Sequence, residues 1–285
     1  MKAYVSIDLE GLPGINGLSQ VGPGYPLYRD AREYMTWMAN LTAEALLANG
    51  CDEVFVADSH GFMGNIEYGK VREGVTLLQG YPRPFSMVLG VEKADVALFI
   101  GYHSAAGTLN GFLDHTYSSR TIFRVELNGL HASEYLLNAL YAGEKGVPVI
   151  LVAGDEALGK QVSEVSPETV FVPLKTGAGR LAAWYPDKAR VESVVWKAVS
   201  NALEKYSRGE LKPLYGGEWS PPYKLDIWVR DSLIADMAQL LPGVERKDAY
   251  LLSYKASSAW DALRIVELVA WIGGSASYMM QAMRG

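Results

Sequence analysis

The chain has 285 residues, and its 26 lysines and arginines against 32 aspartates and glutamates give a net charge of −6 at pH 7 with histidine neutral. A chain of this length buries about 75% of the surface that its unfolded form exposes, so its core needs neither disulfides nor a structural metal. Hydrophobic residues make up 49% and charged residues 20%, which is typical of a globular protein and excludes wholesale disorder, collagen and a coiled coil.

Several protein classes are disfavoured by single features. The one cysteine, Cys51, excludes an internal disulfide and a zinc site of paired cysteines, and it fits a reducing cytoplasm. Charged residues among the first ten leave no room for a secretory signal. No apolar run reaches the roughly 18 residues that a membrane helix requires, and the best candidate, around residues 266–272, is interrupted by Glu267. The net negative charge and the lack of a cluster of lysines and arginines disfavour binding to nucleic acid. We therefore expect a cytoplasmic protein that binds small molecules or peptides.

Strand patterns and helical periods alternate over roughly the first 205 residues, which is typical of an α/β domain with a mostly parallel sheet. The predicted strands cover residues 2–7, 53–57, 95–100, 121–127, 147–152 and 169–174. The predicted helices cover residues 28–48 and 133–144, and a third runs from Pro186 to near Gly209. Asn128-Gly129 predicts a hairpin with a type I′ turn, because these residues accept positive φ angles.

The last quarter of the chain follows a segment rich in glycine and proline, residues 209–222, which we predict to be a linker. Beyond it the patterns predict strands at residues 225–229 and 249–254 and helices at residues 232–240 and 259–280. We therefore predict a metal-binding catalytic α/β domain over residues 1–208. A smaller C-terminal α/β lobe, residues 215–285, either stands alone or completes the first domain.

Carboxylates and histidines follow three of the predicted strands. Asp8 and Glu10 lie where the first strand ends, His60 follows the second, and His103 follows the third. Because the carboxyl ends of parallel strands meet at one edge of a sheet, we expect these four side chains at one crevice. Each alone has an ordinary explanation as a solvated acid or a surface or core histidine. Together they favour a metal site.

The ligand types narrow the chemistry. Carboxylates and imidazoles suit zinc, manganese, iron or cobalt, and a bridging carboxylate suits two cations about 3.5–4 Å apart, which points to hydrolysis. Glu134 opens a predicted helix, and its sequence position alone favours a role in stabilising the helix over a ligand role. His115 lies in an irregular loop as either a general acid or base or a surface histidine. We interpret His131 and Cys51 as structural.

Rival enzyme classes lack their motifs. Gly11, Gly14 and Gly17 have a G-x-x-G-x-x-G spacing that misses the dinucleotide fingerprint, and the nearby acids would repel a pyrophosphate. Neither G-x-S-x-G nor G-x-x-x-x-G-K-[ST] occurs in the sequence, which disfavours serine hydrolases and P-loop enzymes.

Several short motifs occur in a specific order over residues 1–189. They are Ser6-Ile7-Asp8-Leu9-Glu10-Gly11, Asp58-Ser59-His60, Pro84-Phe85-Ser86-Met87, Gly101-Tyr102-His103, His115, Glu134 with Asn138 and Gly143, and Val152-Ala153-Gly154-Asp155. This set resembles the D-aminopeptidase family typified by the DppA-type enzymes, peptidase family M55. The C-terminal quarter matches that family only in its general layout.

The resemblance implies an aminopeptidase with two Zn²⁺ per subunit that removes N-terminal residues, typically D-amino acids such as D-alanine, from short peptides. The implied zinc ligands are Asp8, which bridges, Glu10, His60, His103 and Glu134. His115 is the implied catalytic histidine, which donates a proton to the leaving amine or stabilises the tetrahedral intermediate. The implied assembly is a homo-oligomeric ring, such as a decamer of stacked pentamers, with its sites facing an interior cavity.

Three further residues are weaker candidates. We predict that Asp58 orients His60, and that Lys175 and Arg180 hold a substrate carboxylate, although such cations are more often solvated. Two alternatives to an aminopeptidase remain. One is a dinuclear-metal phosphoesterase, which would need basic residues that the loops at Asp8, His60 and His103 scarcely supply. The other is a non-catalytic, metal-binding ring subunit.

Overall fold

A seven-stranded, mostly parallel sheet dominates the fold in the computed structural model, which describes residues 1–284. Within these residues the strands are β1 (Lys2–Ile7), β2 (Glu53–Asp58), β3 (Val75–Leu78), β4 (Val96–Tyr102), β5 (Ile122–Leu127), β6 (Leu130–His131), β7 (Val149–Asp155), β8 (Val170–Gly179), β9 (Ala182–Trp184), β10 (Tyr223–Val229), β11 (Glu245–Arg246) and β12 (Leu251–Ala256). The helices are α1 (Tyr28–Ala48), α2 (Glu134–Glu144), α3 (Glu156–Val165), α4 (Lys188–Ser207), α5 (Ser232–Ala238) and α6 (Ala259–Arg284).

The large sheet has the strand order β3-β2-β1-β4-β7-β8-β9, and every neighbouring pair is parallel except β8 and β9. Helices α1 and α4 pack on one face, and α2 and α3 pack on the other. All seven residues of β4 are buried, which matches the continuous apolar character of a strand covered on both sides. The predicted α/β fold class is confirmed. No helix among the described residues is long and apolar enough to cross a membrane.

A smaller antiparallel sheet has the order β11-β12-β10-β5-β6. The β5–β6 hairpin turns at Asn128 and Gly129, whose φ angles are +52° and +82°, so the predicted turn is confirmed. Because β5 and β6 come from residues 122–131, the C-terminal strands complete a sheet with a hairpin from the first half of the chain. Residues 209–222 contain no helix or strand beyond one isolated bridge.

The sequence patterns missed several short elements, including β3, β9 and α3. Helix α3 buries Leu158, Val162 and Val165, which share one helix face, but it is only ten residues long and directly follows a strand. Short elements carry too few periodic positions to be distinguished from the loops beside them.

Two glycines allow the ends of β1 and β4 to meet. A Cβ on Gly101, whose φ is +75°, would lie 2.0 Å from the carbonyl oxygen of Asp8. A Cβ on Gly11 would lie 2.2 Å from the carbonyl oxygen of Tyr102. The Gly11 N–H instead donates to the Gly101 carbonyl at 2.7 Å. Any side chain at either position would push the loop that carries Asp8 away from β4.

Candidate metal centre

Six side chains meet at the carboxyl edge of the large sheet. They are Asp8, Glu10, His60, His103, His115 and Glu134. Three of the elements that carry them, β2, β1 and β4, are adjacent parallel strands, so the expected convergence of strand ends occurs. Glu134 is the first residue of α2, and His115 comes from the loop between β4 and β5. All six residues except the buried His103 border a pocket of about 120 Å³.

Asp8 lies at the middle of this group. Its Oδ1 is 3.2 Å from His60 Nδ1, and its Oδ2 is 3.4 Å from His103 Nε2. Glu10 Oε2 approaches the same nitrogen of His60 at 2.8 Å, while Glu134 Oε2 lies 3.7 Å from His103 Nε2. The two carboxylate oxygens of Asp8 therefore face two different histidines, each of which also faces a second carboxylate.

All three imidazoles of the site have one nitrogen fixed by the backbone. His60 donates through Nε2, and His103 and His115 donate through Nδ1. The accepting carbonyl oxygens belong to Val21 at 2.8 Å, Ser104 at 3.0 Å and Leu113 at 2.8 Å, respectively. In a neutral ring the other nitrogen then carries the lone pair, and in each case it points at a carboxylate. This outer hydrogen bond is the arrangement typical of metal-ligating histidines.

Three atoms of the site have no hydrogen-bond partner although they are buried. They are Asp8 Oδ2, His103 Nε2 and Glu10 Oε2, and the first two face each other. Two acceptors at this separation repel unless a proton or a cation lies beside them. Ligand atoms of Asp8, Glu10 and His103 all lie within 4.8 Å of one another, as do those of His103, His115 and Glu134. This nitrogen and oxygen donor set fits metal ions such as zinc.

The crowded charges shift pKa values in opposite directions. Burial, followed by the Glu10 carboxylate, raises the pKa of Asp8 to about 8. Burial alone would lower the pKa of His103, but the Glu134 and Asp8 carboxylates outweigh it and raise that pKa to about 9. Burial and the neighbouring His103 lower the pKa of His115. His115 is therefore neutral at neutral pH, whereas the metal-free Asp8 and His103 hold protons.

The loop that carries His115 is anchored on both sides. Leu113 and Tyr117 adopt positive φ angles of 49° and 60°, which non-glycine residues rarely adopt outside constrained sites. Tyr117 N–H donates to Glu134 Oε1 at 2.7 Å. Asp155 Oδ2 accepts from Phe112 N–H at 3.1 Å. Tyr117 was missed by the sequence reasoning, and Asp155 was noted only within a motif, at the polar end of an otherwise apolar strand.

The structure corrects the predicted role of Asp58. Its carboxylate accepts hydrogen bonds from Asn65 Nδ2 at 2.7 Å and from the Ile66 N–H at 2.8 Å. The His60 ring instead contacts Val21, as described above, and Asn65 Nδ2 also reaches the His60 carbonyl oxygen at 2.7 Å. Asp58 thus holds the backbone of the loop after β2, and the imidazole takes its orientation from elsewhere.

The side chains of Lys175 and Arg180 bind other groups of the protein, which differs from their predicted role. Lys175 is 1% exposed, and its Nζ donates to the carbonyl oxygens of Glu10 at 2.7 Å and Ile15 at 2.8 Å. Arg180 forms an ion pair with Asp114, the residue before His115. Neither cation lines the pocket. Both therefore support the loops that carry Glu10 and His115, which corrects their predicted contact with a substrate carboxylate.

A second pocket wall comes from a region that the sequence reasoning did not associate with the site. Helix α6 contributes Glu267, Ala270 and Trp271, and Tyr81 comes from the loop after β3. The one sequence feature that could have indicated this wall was the charge of Glu267 inside an apolar run. That charge identifies a site residue only when the packing position of α6 is known, and local sequence patterns do not show it.

The fold and this donor set are those of an α/β metallohydrolase. The sequence model of the D-aminopeptidase family, peptidase family M55, matches residues 1–268. The chain is 34% identical over 253 residues to the D-aminopeptidase of Bacillus subtilis strain 168, which covers 87% of this chain and 88% of that protein. It also matches the solved structure of the "Zn-dependent D-aminopeptidase DppA from Bacillus subtilis, a self-compartmentalizing protease". That match has a TM-score of 0.89 and 30% identity over 96% of this chain and 98% of the other.

The chain therefore belongs to the D-aminopeptidase family of peptidases. The resemblance noted in the sequence is confirmed, and the match extends beyond the residues that first suggested it.

Proposed function

We propose that this protein is a zinc-dependent aminopeptidase that removes N-terminal D-amino acids from short peptides. The observation that carries the proposal is the opposed pair of buried, unpartnered atoms, Asp8 Oδ2 and His103 Nε2, within a group of three carboxylates. The B. subtilis relative with the matching fold is described as Zn-dependent and as a D-aminopeptidase, which supports both the metal and the substrate class.

The residues that would hold two zinc ions are Asp8, as the bridge, Glu10, His60, His103 and Glu134. The two oxygens of Asp8 face different histidines, which supports the bridging role. Bound there, zinc would polarise the peptide carbonyl and lower the pKa of a water molecule. Lys175 Nζ donates a hydrogen bond to the carbonyl oxygen of Glu10 and so fixes the loop that carries the ligand candidates Asp8 and Glu10.

His115 is the residue that moves protons in this proposal. Its Nδ1 is committed to Leu113, so Nε2 carries the lone pair, and Nε2 lies 3.7 Å from Glu134 Oε1 at the pocket. Through this lone pair, Nε2 first accepts the proton of the attacking water. It then donates that proton to the leaving amine. Of the two roles predicted from the sequence, this favours proton donation, preceded by proton uptake.

The pocket supports a small N-terminal residue. The pocket is small, with a volume of about 120 Å³. A methyl side chain such as that of D-alanine fits this space, next to the aromatic rings of Tyr81 and Trp271. We propose D-Ala-D-Ala as a representative substrate.

The assembly proposed for this chain is a homo-oligomeric ring, a decamer of stacked pentamers with the sites facing an interior cavity. The structural relative is described as self-compartmentalizing, which supports an assembly of this kind. Large apolar side chains on the surface would supply its interfaces, among them Tyr68 at 80%, Trp184 at 76% and Phe62 at 73% exposed. Light scattering on the purified protein tests this, and a monomer would contradict it.

The testing experiment compares three substrates on zinc-loaded protein: D-Ala-D-Ala, L-Ala-p-nitroanilide and p-nitrophenyl phosphate. We expect turnover of the D-dipeptide, with two zinc ions per chain by metal analysis. Turnover of the phosphate ester alone would favour the phosphoesterase, and no turnover would favour the non-catalytic subunit. The phosphoesterase is disfavoured because, among the described residues, no lysine or arginine lines the pocket to balance a phosphate charge.

A further inference from the structure

The α6 wall of the pocket is held in a fixed position. Glu267, Ala270 and Trp271 have the i, i+3, i+4 spacing of residues on one helix face. Trp271 Nε1 donates to the Tyr81 hydroxyl, and the two rings pack edge to face with centroids 5.8 Å apart. Thr121 Oγ1 donates to the Ala270 carbonyl oxygen at 3.3 Å. Glu267 is therefore presented to the pocket by a rigid element.

Glu267 is a buried acid without a cationic partner. Its side chain belongs to a residue that is 5% exposed, and Oε1 has no hydrogen bond. It takes part in none of the ion pairs among the side chains that the structure describes. The cation whose charge acts on Glu267 is Arg83, and it donates to the carbonyl oxygens of Ser86 at 2.8 Å and Asp58 at 2.8 Å. An unpaired buried carboxylate reduces stability, so its presence calls for a ligand.

A second acceptor lies in the same pocket. The hydroxyl oxygen of Ser86 is buried, lines the pocket and has no hydrogen-bond partner. A ligand that satisfies both Ser86 and Glu267 must offer several N–H or O–H donors and a positive charge. A primary ammonium has three donors and one charge in a compact group, and it forms strong, charge-assisted hydrogen bonds with carboxylates.

We propose that Glu267, together with Ser86, binds the free N-terminal ammonium of the substrate. This inference rests on the proposed aminopeptidase function, because the N-terminal ammonium is the cation that every aminopeptidase substrate carries. The ammonium is only two bonds from the scissile carbonyl carbon, and the pocket that Glu267 lines is bordered by the metal-ligand candidates. Glu267 is then a specificity-determining residue, which restricts cleavage to the first peptide bond and excludes N-acylated peptides.

The test compares Glu267→Gln with the parent on two zinc-loaded reactions. D-alanine p-nitroanilide carries the ammonium, and propionyl p-nitroanilide has the same skeleton without it. We expect kcat/KM for the first to fall about 10- to 100-fold, mainly through KM, which is the size of one charge-assisted hydrogen bond. For the second compound it should stay within about twofold. Glu44→Gln, an exposed position on α1, is the matched control.

Equal losses on both compounds would assign Glu267 a structural role, and an unchanged KM for D-alanine p-nitroanilide would place the ammonium elsewhere. Either result overturns the inference. Calorimetric titration with D-alaninol, an amine without a peptide bond, tests amine binding by Glu267 separately from the proposed peptidase activity. If the parent binds D-alaninol at least tenfold more tightly than Glu267→Gln does but cleaves no peptide, amine recognition stands and the peptidase proposal fails. No binding by the parent overturns the inference.

Discussion

The imidazole rings of His103 and His115 stack face to face, with centroids 4.1 Å apart and 14° between their planes. Two cationic rings at this distance would repel each other, and the pKa values diverge accordingly. Burial opposes a charge on both rings, but the carboxylates of Glu134 and Asp8 raise the pKa of His103, while His103 adds to the fall in the pKa of His115. The stack therefore sets apart a charged ring among the carboxylates and a neutral ring that can accept a proton.

This separation predicts different phenotypes for two histidines. His115→Ala should lower kcat by about 10²- to 10⁴-fold, the usual contribution of a general acid or base, with zinc content unchanged. His60→Ala should lose zinc together with activity, because its Nδ1 lies between two carboxylates. Peptidase assays and metal analysis on the same preparations measure both quantities.

His131 provides the matched control for these substitutions. It lies outside the pocket, where its Nε2 contacts the Ala106 carbonyl oxygen at 2.7 Å, so His131→Ala should keep both zinc and kcat. Zinc loss in His115→Ala would contradict the catalytic assignment and make His115 a ligand with His103 and Glu134.

Metal binding should release protons. In the metal-free protein the pKa of Asp8 is about 8 and that of His103 about 9, so both groups hold protons at pH 7. Burial opposes a charge on His60 as well, but the Glu10 and Asp8 carboxylates raise its pKa well above the ordinary value, so it also holds a proton. Zinc must displace these protons, and we expect about two to three protons released per chain at pH 7, fewer as the pH rises through the pKa values of Asp8 and His103. The apparent zinc affinity then increases with pH. Calorimetry in two buffers of different ionisation enthalpy measures the release, and a buffer-independent heat would contradict it.

Glu267 should reduce stability at high pH. Burial raises its pKa to about 7 against 4.5 for the ordinary group, while the Arg83 charge counteracts the rise. Between these values the folded state binds more protons than the unfolded one, so the free energy of unfolding falls as the pH rises. The loss is complete above about pH 7 and reaches up to about 3 kcal/mol, at about 1.36 kcal/mol per pKa unit.

The Glu267→Gln variant tests this sign directly. The free energy of unfolding of the variant minus that of the parent should be larger at pH 8 than at pH 5. Denaturant melts of the zinc-loaded proteins measure both values. The same difference at both pH values would show that the carboxylate is not destabilised by burial. A variant that gains stability while losing affinity for the amine would show that the buried acid is retained for binding.

The sequence predicted the part of the site that depends on strand order. Asp8, His60 and His103 follow strands that are neighbours in a parallel sheet, so their convergence follows from topology. The assignments of Glu134 and His115 needed the family resemblance, because a helix start and a loop give no such constraint. The direction of a side chain within a loop is set by tertiary contacts, which is why Lys175 was expected at the substrate but lies under the Glu10 backbone. The place of α6 at the pocket is equally non-local.

The role of Lys175 yields the last prediction. Lys175→Met keeps a long apolar side chain beside Phe112 but removes the donor to two buried carbonyl oxygens, those of Glu10 and Ile15. Each unsatisfied carbonyl costs about 1–3 kcal/mol, and the loop that carries Glu10 is released. We expect a lower Tm and weaker zinc binding. Lys197→Met, at an exposed position on α4, is the control.

The substrate dependence of this variant distinguishes loop support from contact with a substrate carboxylate. D-Ala-D-Ala has a free carboxylate, and D-alanine p-nitroanilide has none. If Lys175 supports the Glu10 loop, the substitution changes kcat/KM for both compounds by the same factor, and excess zinc restores part of the activity. A rise in KM confined to D-Ala-D-Ala, with an unchanged Tm, would instead mean that the Lys175 ammonium contacts the substrate carboxylate in the working enzyme. The two hydrogen bonds of Nζ to the backbone, at 2.7 and 2.8 Å, favour the first outcome, because that ammonium would have to leave both carbonyls unpaired to reach the pocket.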